Sequence, residues 1–273
     1  AGDSIMQAYG GLMSIIGERD GGPLRVGNVV SDMLAGANAF GGILLSLFSR
    51  TTTGKGGHVR VSLLDSIVAF QAPPLTEFLL TGDPPKRLGN EHPLIAPSGA
   101  VRTRDGQINF TVFDHQWRDF CEGLGLAALP DDPRFAGTGE RQKNRDALSR
   151  ELSAVFAKRT SAEWIEALRA IDVLCAPIND YPALVRDPQV LHNALIQTAV
   201  NAEGREFPLV RNAVAIDGET QCLSSPPRLG EHTAAILEAE LGLGGPEVAK
   251  LLADGVARAM PAAGWGSAWS IRA

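Results

Sequence analysis

The sequence predicts an α/β protein on three observations: a loop, helix, turn, strand, helix succession in the first third, a tight-turned hairpin leading into helical stripes in the middle, and no internal repeat. The first third reads as a glycine-bearing loop from Gly17 to Val29, then a helix from Asp32 to Arg50. A turn follows at Thr53-Gly-Lys-Gly-Gly57, and Val59 and Val61 alternate about Arg60 as a strand over His58 to Val61. A second helical stretch runs from Leu63 to Thr81. Ser62 and Asp65 stand at capping-box spacing at its start, and Pro73-Pro74 should break or kink it.

From Gly82 to Pro97 the chain is rich in proline and glycine, long enough to separate two domains, and a boundary is expected there. Gly99 to Arg102 and Gln107 to Phe113 form a hairpin-like pair across Asp105-Gly106. Helical stripes follow. Trp117, Phe120, Cys121 and Leu124 form the first, and Leu148, Leu152, Val155 and Phe156 the second. Trp164, Ile165, Leu168 and Ile171 form the third, after a Thr160-x-x-Glu163 capping box. These are core faces without chemistry of their own. Beyond Pro188 the pattern gives a strand over Phe207 to Ile216, a Pro226-Pro227 stop, and helices over Thr233 to Leu241 and Pro246 to Ala253. Met260 to Ala273, with Trp265 and Trp269, shows no period.

Composition narrows the function classes. The 273 residues carry a net charge of −6 and no run of Lys or Arg, which argues against nucleic acid or an anionic membrane as partner. Leu34 to Phe48, the longest apolar stretch, is interrupted by Asn38, Ser46 and three glycines and falls short of the ~20 residues of a membrane span. Cys121, Cys175 and Cys222 are odd in number and lack CxxC spacing, so a reducing cytoplasm is the expected setting. Histidines 58, 92, 115, 192 and 232 form no ligand pair, so no metal is expected. Gly54, Lys55, Gly56 and Gly57 precede a strand rather than a helix, which makes them a surface turn and not a phosphate loop.

Asp32 is the residue with chemical promise. By spacing alone it is an ordinary N-cap. The same position keeps a carboxylate ionised, because first-turn N–H groups and the helix dipole favour negative charge. Gly36, Gly41 and Gly42 on that helix leave room for a second backbone or a ligand. An ionised carboxylate in such a place suits a nucleophile.

The residues around Asp32 carry a resemblance. Val26-Gly-Asn-Val-Val-Ser-Asp32, the Gly/Ala helix, and Arg50-Thr-Thr-Thr-Gly-Lys-Gly-Gly-His-Val-Arg-Val-Ser-Leu-Leu-Asp65 resemble the family III CoA-transferases. The likeness continues in order through Arg87-Leu-Gly-Asn-Glu-His-Pro93, Asp114-His-Gln-Trp117, Asp132-Pro-Arg-Phe-Ala136, Asn144-Arg145, Cys175-Ala-Pro-Ile-Asn-Asp180, Asp187-Pro-Gln-Val190 and Pro227-Arg-Leu-Gly-Glu-His-Thr233. It implies a Rossmann-like large domain, incomplete here, plus a smaller α+β domain. Residues 1–81 would belong to the large domain, 82–190 to the small one, and 191–273 to the return into the large domain and a tail.

The resemblance also implies an activity, acyl-CoA: carboxylate CoA transfer through an acyl–aspartyl anhydride and an aspartyl-CoA thioester, with Asp32 as the catalytic carboxylate. CoA and acyl-CoA would be substrates, with no tightly bound cofactor. Arg87, Gly89, Asn90, His92 and Asp114 are implied pocket-lining residues, although a turn role is the ordinary reading of His92 and Asp114. Glu91-His-Pro-Leu-Ile95 replaces the tetraglycine run of the formyl-CoA branch, which argues against formate and oxalate. Family chains carry a further N-terminal stretch holding most of the CoA-binding residues, so an uncovered apolar face is expected here, met by an interlocked homodimer or a chain supplying that stretch. Two alternatives stay open: an α-methylacyl-CoA racemase-like isomerase, which uses an Asp at the same helix start, and a non-catalytic fragment or subunit of the same fold.

Overall fold

The structure is a computed structural model describing residues 2–201, 204–220 and 223–259; Cys222, Trp265 and Trp269 lie outside the described residues. The chain divides into two compact units, Ala1–Ile178 and Asn179–Ala273. Helix and sheet are mixed as an α/β class requires, and every strand pair among the described residues is antiparallel.

The first unit opens with α1 (Asp3–Tyr9) and α2 (Leu12–Ile15), too short to announce themselves by periodicity, and continues with α3 (Val30–Thr53). Helix α3 therefore starts two residues earlier than expected, and Asp32 lies in its first turn rather than at the N-cap, which is Val29. The expected strand at His58 to Val61 forms no ladder, since no neighbouring strand is there to pair with it. Instead it lies along α3, where a Cβ on Gly42 would come within 2.7 Å of Val59 Cγ1. Added Cβ atoms at Gly36 and Gly41 would meet nothing.

Helices α4 (Leu63–Phe70) and α5 (Ala72–Thr81) realise the expected broken helix, bent by 70° at Gln71, just before the two prolines. Ser62 caps α4 by accepting the Asp65 N–H at 3.0 Å. Gln71 secures the bend by donating to Ile67 O and to Gly10 O, each at 2.8 Å.

Strands β1 (Ser98–Arg102) and β2 (Gln107–Thr111) form the predicted hairpin, in register Arg102 to Gln107. Next come α6 (Trp117–Gly123), α7 (Thr138–Lys143), α8 (Arg145–Phe156) and α9 (Ser161–Arg169), then β3 (Leu174–Pro177), which pairs antiparallel with β2. The helical stripes meet here as one core. Phe110 stacks on Phe156 at 5.1 Å and on Phe120 at 5.6 Å, and Phe156 tilts against Trp164 at 4.8 Å. Each such ring contributes roughly 1.5–3 kcal/mol by burial, more with aromatic pairing. The predicted capping box of α9 forms with both bonds: Glu163 N to Thr160 Oγ1 and Thr160 N to Glu163 Oε2.

Helix α3 contrasts with that core. It buries only Ser31, while Met33, Phe40, Ile43, Leu44, Leu45, Leu47 and Phe48 are exposed. The expectation of a stretch too short for a membrane changes in one respect. By extending past the apolar run at both ends to 24 residues, α3 becomes long and apolar enough to span one by length and composition alone. Ser31, Asp32, Asn38, Ser46 and Arg50 along it are unlike a lipid-facing surface.

The second unit holds α10 (Tyr181–Leu184) and α11 (Pro188–His192), capped by Asp180 and Asp187, then hairpins β4 (Ile196–Val200) with β5 (Glu206–Val210) and β6 (Ala215–Ile216) with β7 (Glu219–Thr220). The single strand expected over Phe207 to Ile216 is thus two. Between them Arg211 turns back, donating to Asn193 O at 2.8 Å and Ala194 O at 3.1 Å. Helices α12 (Thr233–Leu241) and α13 (Gly245–Ala253) fall where the pattern places them.

Candidate active site

A buried polar cluster builds the start of α3. The Asp3 carboxylate accepts the Ser31 N–H at 2.8 Å and the Ser31 hydroxyl at 2.7 Å, and so caps α3 from another helix. Gln7, one turn along α1, donates to Asp3 Oδ2 at 2.7 Å and to Asn28 O at 3.1 Å, and its Oε1 accepts the Val26 N–H at 2.9 Å. Burial acts to raise the Asp3 pKa, but the bonds from Ser31 and Gln7, with the charge of Arg25, outweigh it and hold the carboxyl below its ordinary value. The segment from Val26 to Ser31 is therefore pinned at both ends.

Asp32 projects from this pinned turn into solvent, with no side-chain hydrogen bond among the described residues. Of the first-turn amides, that of Ser31 is taken by Asp3 and that of Met33 by Val29 O. Those of Val30 and Asp32 have no acceptor among the described residues. A free carboxylate beside free N–H donors at a helix start is an arrangement for attack on a carbonyl with the oxyanion received by the backbone.

The other residues singled out in the sequence fall into two groups. Arg87, Gly89 and Asn90 come together against residues 14–21. Arg87 donates to Gly21 O at 2.8 Å and Ser14 O at 3.4 Å, and its Nε is buried without a partner among the described residues. Gly89 donates its N–H to Gly17 O at 2.9 Å in the left-handed conformation, φ 58°. Asn90 lines a cleft of about 510 Å³ with Glu18, Arg19, Asp20 and Asp146. His92 stands in a turn, where its Nδ1 accepts the Leu94 and Ile95 N–H groups at 3.1 Å each. Asp114 accepts from Thr138 Oγ1 at 2.8 Å and pairs with Arg141. Hydrogen bonds from Arg141 and Thr138 hold the Asp114 carboxyl below its usual value. Asp32 lines neither this cleft nor the apolar one of about 230 Å³ between Gly10, Gln71 and Phe78.

Sequence reasoning overlooked Arg141, the most deeply buried charge among the described residues. It donates to Ala96 O at 2.7 Å and Phe135 O at 3.1 Å and lies 4.7 Å over the Trp117 ring, tying the chain before β1 to α7. It also overlooked Asp3 and Gln7, whose i, i+4 spacing is the one signal available. Among the described residues no group of three or more His, Cys, Asp or Glu is placed to hold a metal ion.

Residues 1–233 match the family described as CoA-transferase family III. The chain belongs to that family. Among its relatives, the succinate–glutarate CoA-transferase of Agrobacterium fabrum is 34% identical over 237 residues, covering 86% of this chain and 59% of the relative. The acetyl-CoA:oxalate CoA-transferase of Acetobacter aceti is also 34% identical, with 86% and 60% coverage. A solved CaiB/BaiF family protein from Brucella suis superposes with a TM-score of 0.76 at 31% identity, covering 88% of this chain and 63% of that one. This family III chain spans about three fifths of the length of these relatives.

Proposed function

We propose that the family III protein to which this chain belongs transfers CoA from an acyl-CoA to a free carboxylic acid, with Asp32 as nucleophile. The observation that carries this reading is the presentation of Asp32: an unpaired carboxylate on a turn fixed by Asp3 and Gln7, with the Val30 and Asp32 amides free beside it. The carboxylate attacks the thioester carbonyl, the C–S bond breaks, and CoA leaves as thiolate from a mixed anhydride. The thiolate then attacks the Asp32 carbonyl, releasing the donor acid and leaving an aspartyl-CoA thioester. The acceptor carboxylate displaces CoA to form a second anhydride, and the returning thiolate takes the acceptor acyl group and frees Asp32. The free amides would receive each oxyanion.

Relatives are named for glutarate, oxalate and mesaconate, which supports a dicarboxylic acid as acceptor. The relatives named for glutarate and for oxalate are equally similar, at 34%. The Glu91-His-Pro-Leu-Ile95 sequence in place of a glycine run favours the longer acids. The exposed apolar side of α3 supports a further polypeptide covering it, either the length by which relatives exceed this chain or a second copy in an interlocked dimer.

In the whole protein, Asp32→Ala should lower transfer from succinyl-CoA to glutarate by roughly 10³-fold or more. Wild-type enzyme mixed with succinyl-CoA should show a CoA mass adduct on Asp32. Turnover surviving in Asp32→Ala overturns the mechanism, and deuterium entering the α-carbon of an acyl-CoA without an acceptor acid would point to the isomerase instead.

A further inference from the structure

The loop from Ile16 to Val29 delivers Asp32, and its two ends are held differently. Its far end is pinned by Gln7 through Val26 and Asn28. Its near end is overlaid by residues 87–93, which reach it through Gly89 N to Gly17 O and Arg87 to Gly21 O. A Cβ on Gly89 would come within 2.8 Å of Glu18 Oε2, so this strap lies flush on the loop.

One side chain of the loop joins the strap to the small-domain helices. Arg19 bonds Glu91 Oε2 at 2.5 Å and Asp146 Oδ1 at 2.8 Å, in the first turn of α8. Glu91 also receives Arg145 at 3.3 Å, and Arg145 donates to Pro93 O at 3.1 Å. Asp146, Arg19, Glu91 and Arg145 therefore alternate in charge along one connected row. Arg145 is 13% exposed and Glu91 31%, so the inner part of the row is shielded from solvent. A row of this kind orients its members even where each exposed pair adds little to folding.

We propose that Arg19 and Glu91 are positioning residues for the CoA transfer: their ion pair, shared with Arg145 and Asp146, latches the strap onto the loop that carries Asp32 and sets the reach of that carboxylate. This rests on the reading of Asp32 as nucleophile. With the latch broken, the described bonds left between the strap and residues 14–21 are the backbone bond of Gly89 and those of Arg87. Displacements of an ångström at a reacting group are costly to the chemical step while leaving the fold intact.

The test uses the whole protein, with succinyl-CoA and glutarate, in wild type, Arg19→Gln, Glu91→Gln, the double variant and Arg19→Lys. Each glutamine variant should lose about tenfold in kcat with KM within about twofold. The double should be no worse than the poorer single, because both remove one interaction. Arg19→Lys should recover part of the loss, and melting temperatures should stay within about 3 °C. Additive losses of about a hundredfold, kcat within twofold of wild type, or losses matched by a fall in melting temperature overturn the latch. Tryptic cleavage at Lys86 and Arg87 needs no turnover and should be about tenfold faster in Arg19→Gln. An unchanged cleavage rate rejects the latch whatever the activity. Full activity in Asp32→Ala alone would instead reject the reaction reading, so the two failures are told apart.

Discussion

Helices α3 and α8 are both rich in apolar residues, and they end in opposite situations. Leu148, Leu152 and Phe156 of α8 vanish into the aromatic cluster, whereas seven large apolar side chains of α3 stand in solvent. The polar sides point opposite ways: α8 turns Arg and Glu outward from its buried stripe, while α3 turns Asn38 and Ser46 inward to Ser66 and Gly57 and leaves its large apolar side chains outside. An apolar side of this size left in solvent is built to be covered. The apolar stripes between β1 and β3 are therefore buried, whereas the large side chains of α3 are not.

The sharpest way to break this contrast is to truncate one ring on each side of it. Phe156→Ala should cost about 3–5 kcal/mol of unfolding free energy, while Phe48→Ala should change this chain by no more than about 0.5 kcal/mol. Denaturant titration of both variants checks it, and equal effects would mean that α3 is packed in solution. A smaller effect is expected at Arg141, inside the packed region. Arg141→Met leaves Ala96 O and Phe135 O without their donor and should cost about 2–4 kcal/mol by the same titration.

Acid titration separates the two regions more finely. Asp3 beside α3 and Asp114 beside Arg141 both have lowered pKa values in the folded chain. Their contribution is therefore complete above the ordinary carboxylate pKa of about 3.9 and is lost as pH falls below it through the lowered folded values. Asp114→Asn and Asp3→Asn should each lower stability between pH 7 and 9, and that deficit should shrink as pH falls below about 4. A fall in stability of equal size at every pH would show that shape and not charge was lost.

What was legible in the sequence follows the range of the forces involved. Thr160 with Glu163 and the Asp105-Gly106 turn are satisfied by residues within a few positions, the stripes of α6, α8 and α9 repeat at helical spacing, and each forms where its pattern places it. His58 to Val61 has the alternation of a strand, yet alternation does not supply a neighbour to bond with. The side chain that caps α3 lies 28 residues upstream of Ser31 in Asp3, a distance at which spacing alone makes Asp32 look like the cap. Family resemblance points to Asp32 and the 87–93 segment; Gln7, which bonds the turn before Asp32, and Arg19, which bonds Glu91, are visible only through contacts remote in sequence, as is Arg141 on Ala96 O.

The notches along α3 have a final consequence. Val59 fills the one at Gly42, but those at Gly36 and Gly41 stand vacant, although each glycine weakens the helix by about 0.8–1 kcal/mol relative to alanine. Alanine at either place should firm up the isolated polypeptide and yet spoil the assembled enzyme if a neighbouring backbone seats itself there. The same methyl group would then carry opposite signs in the part and in the whole.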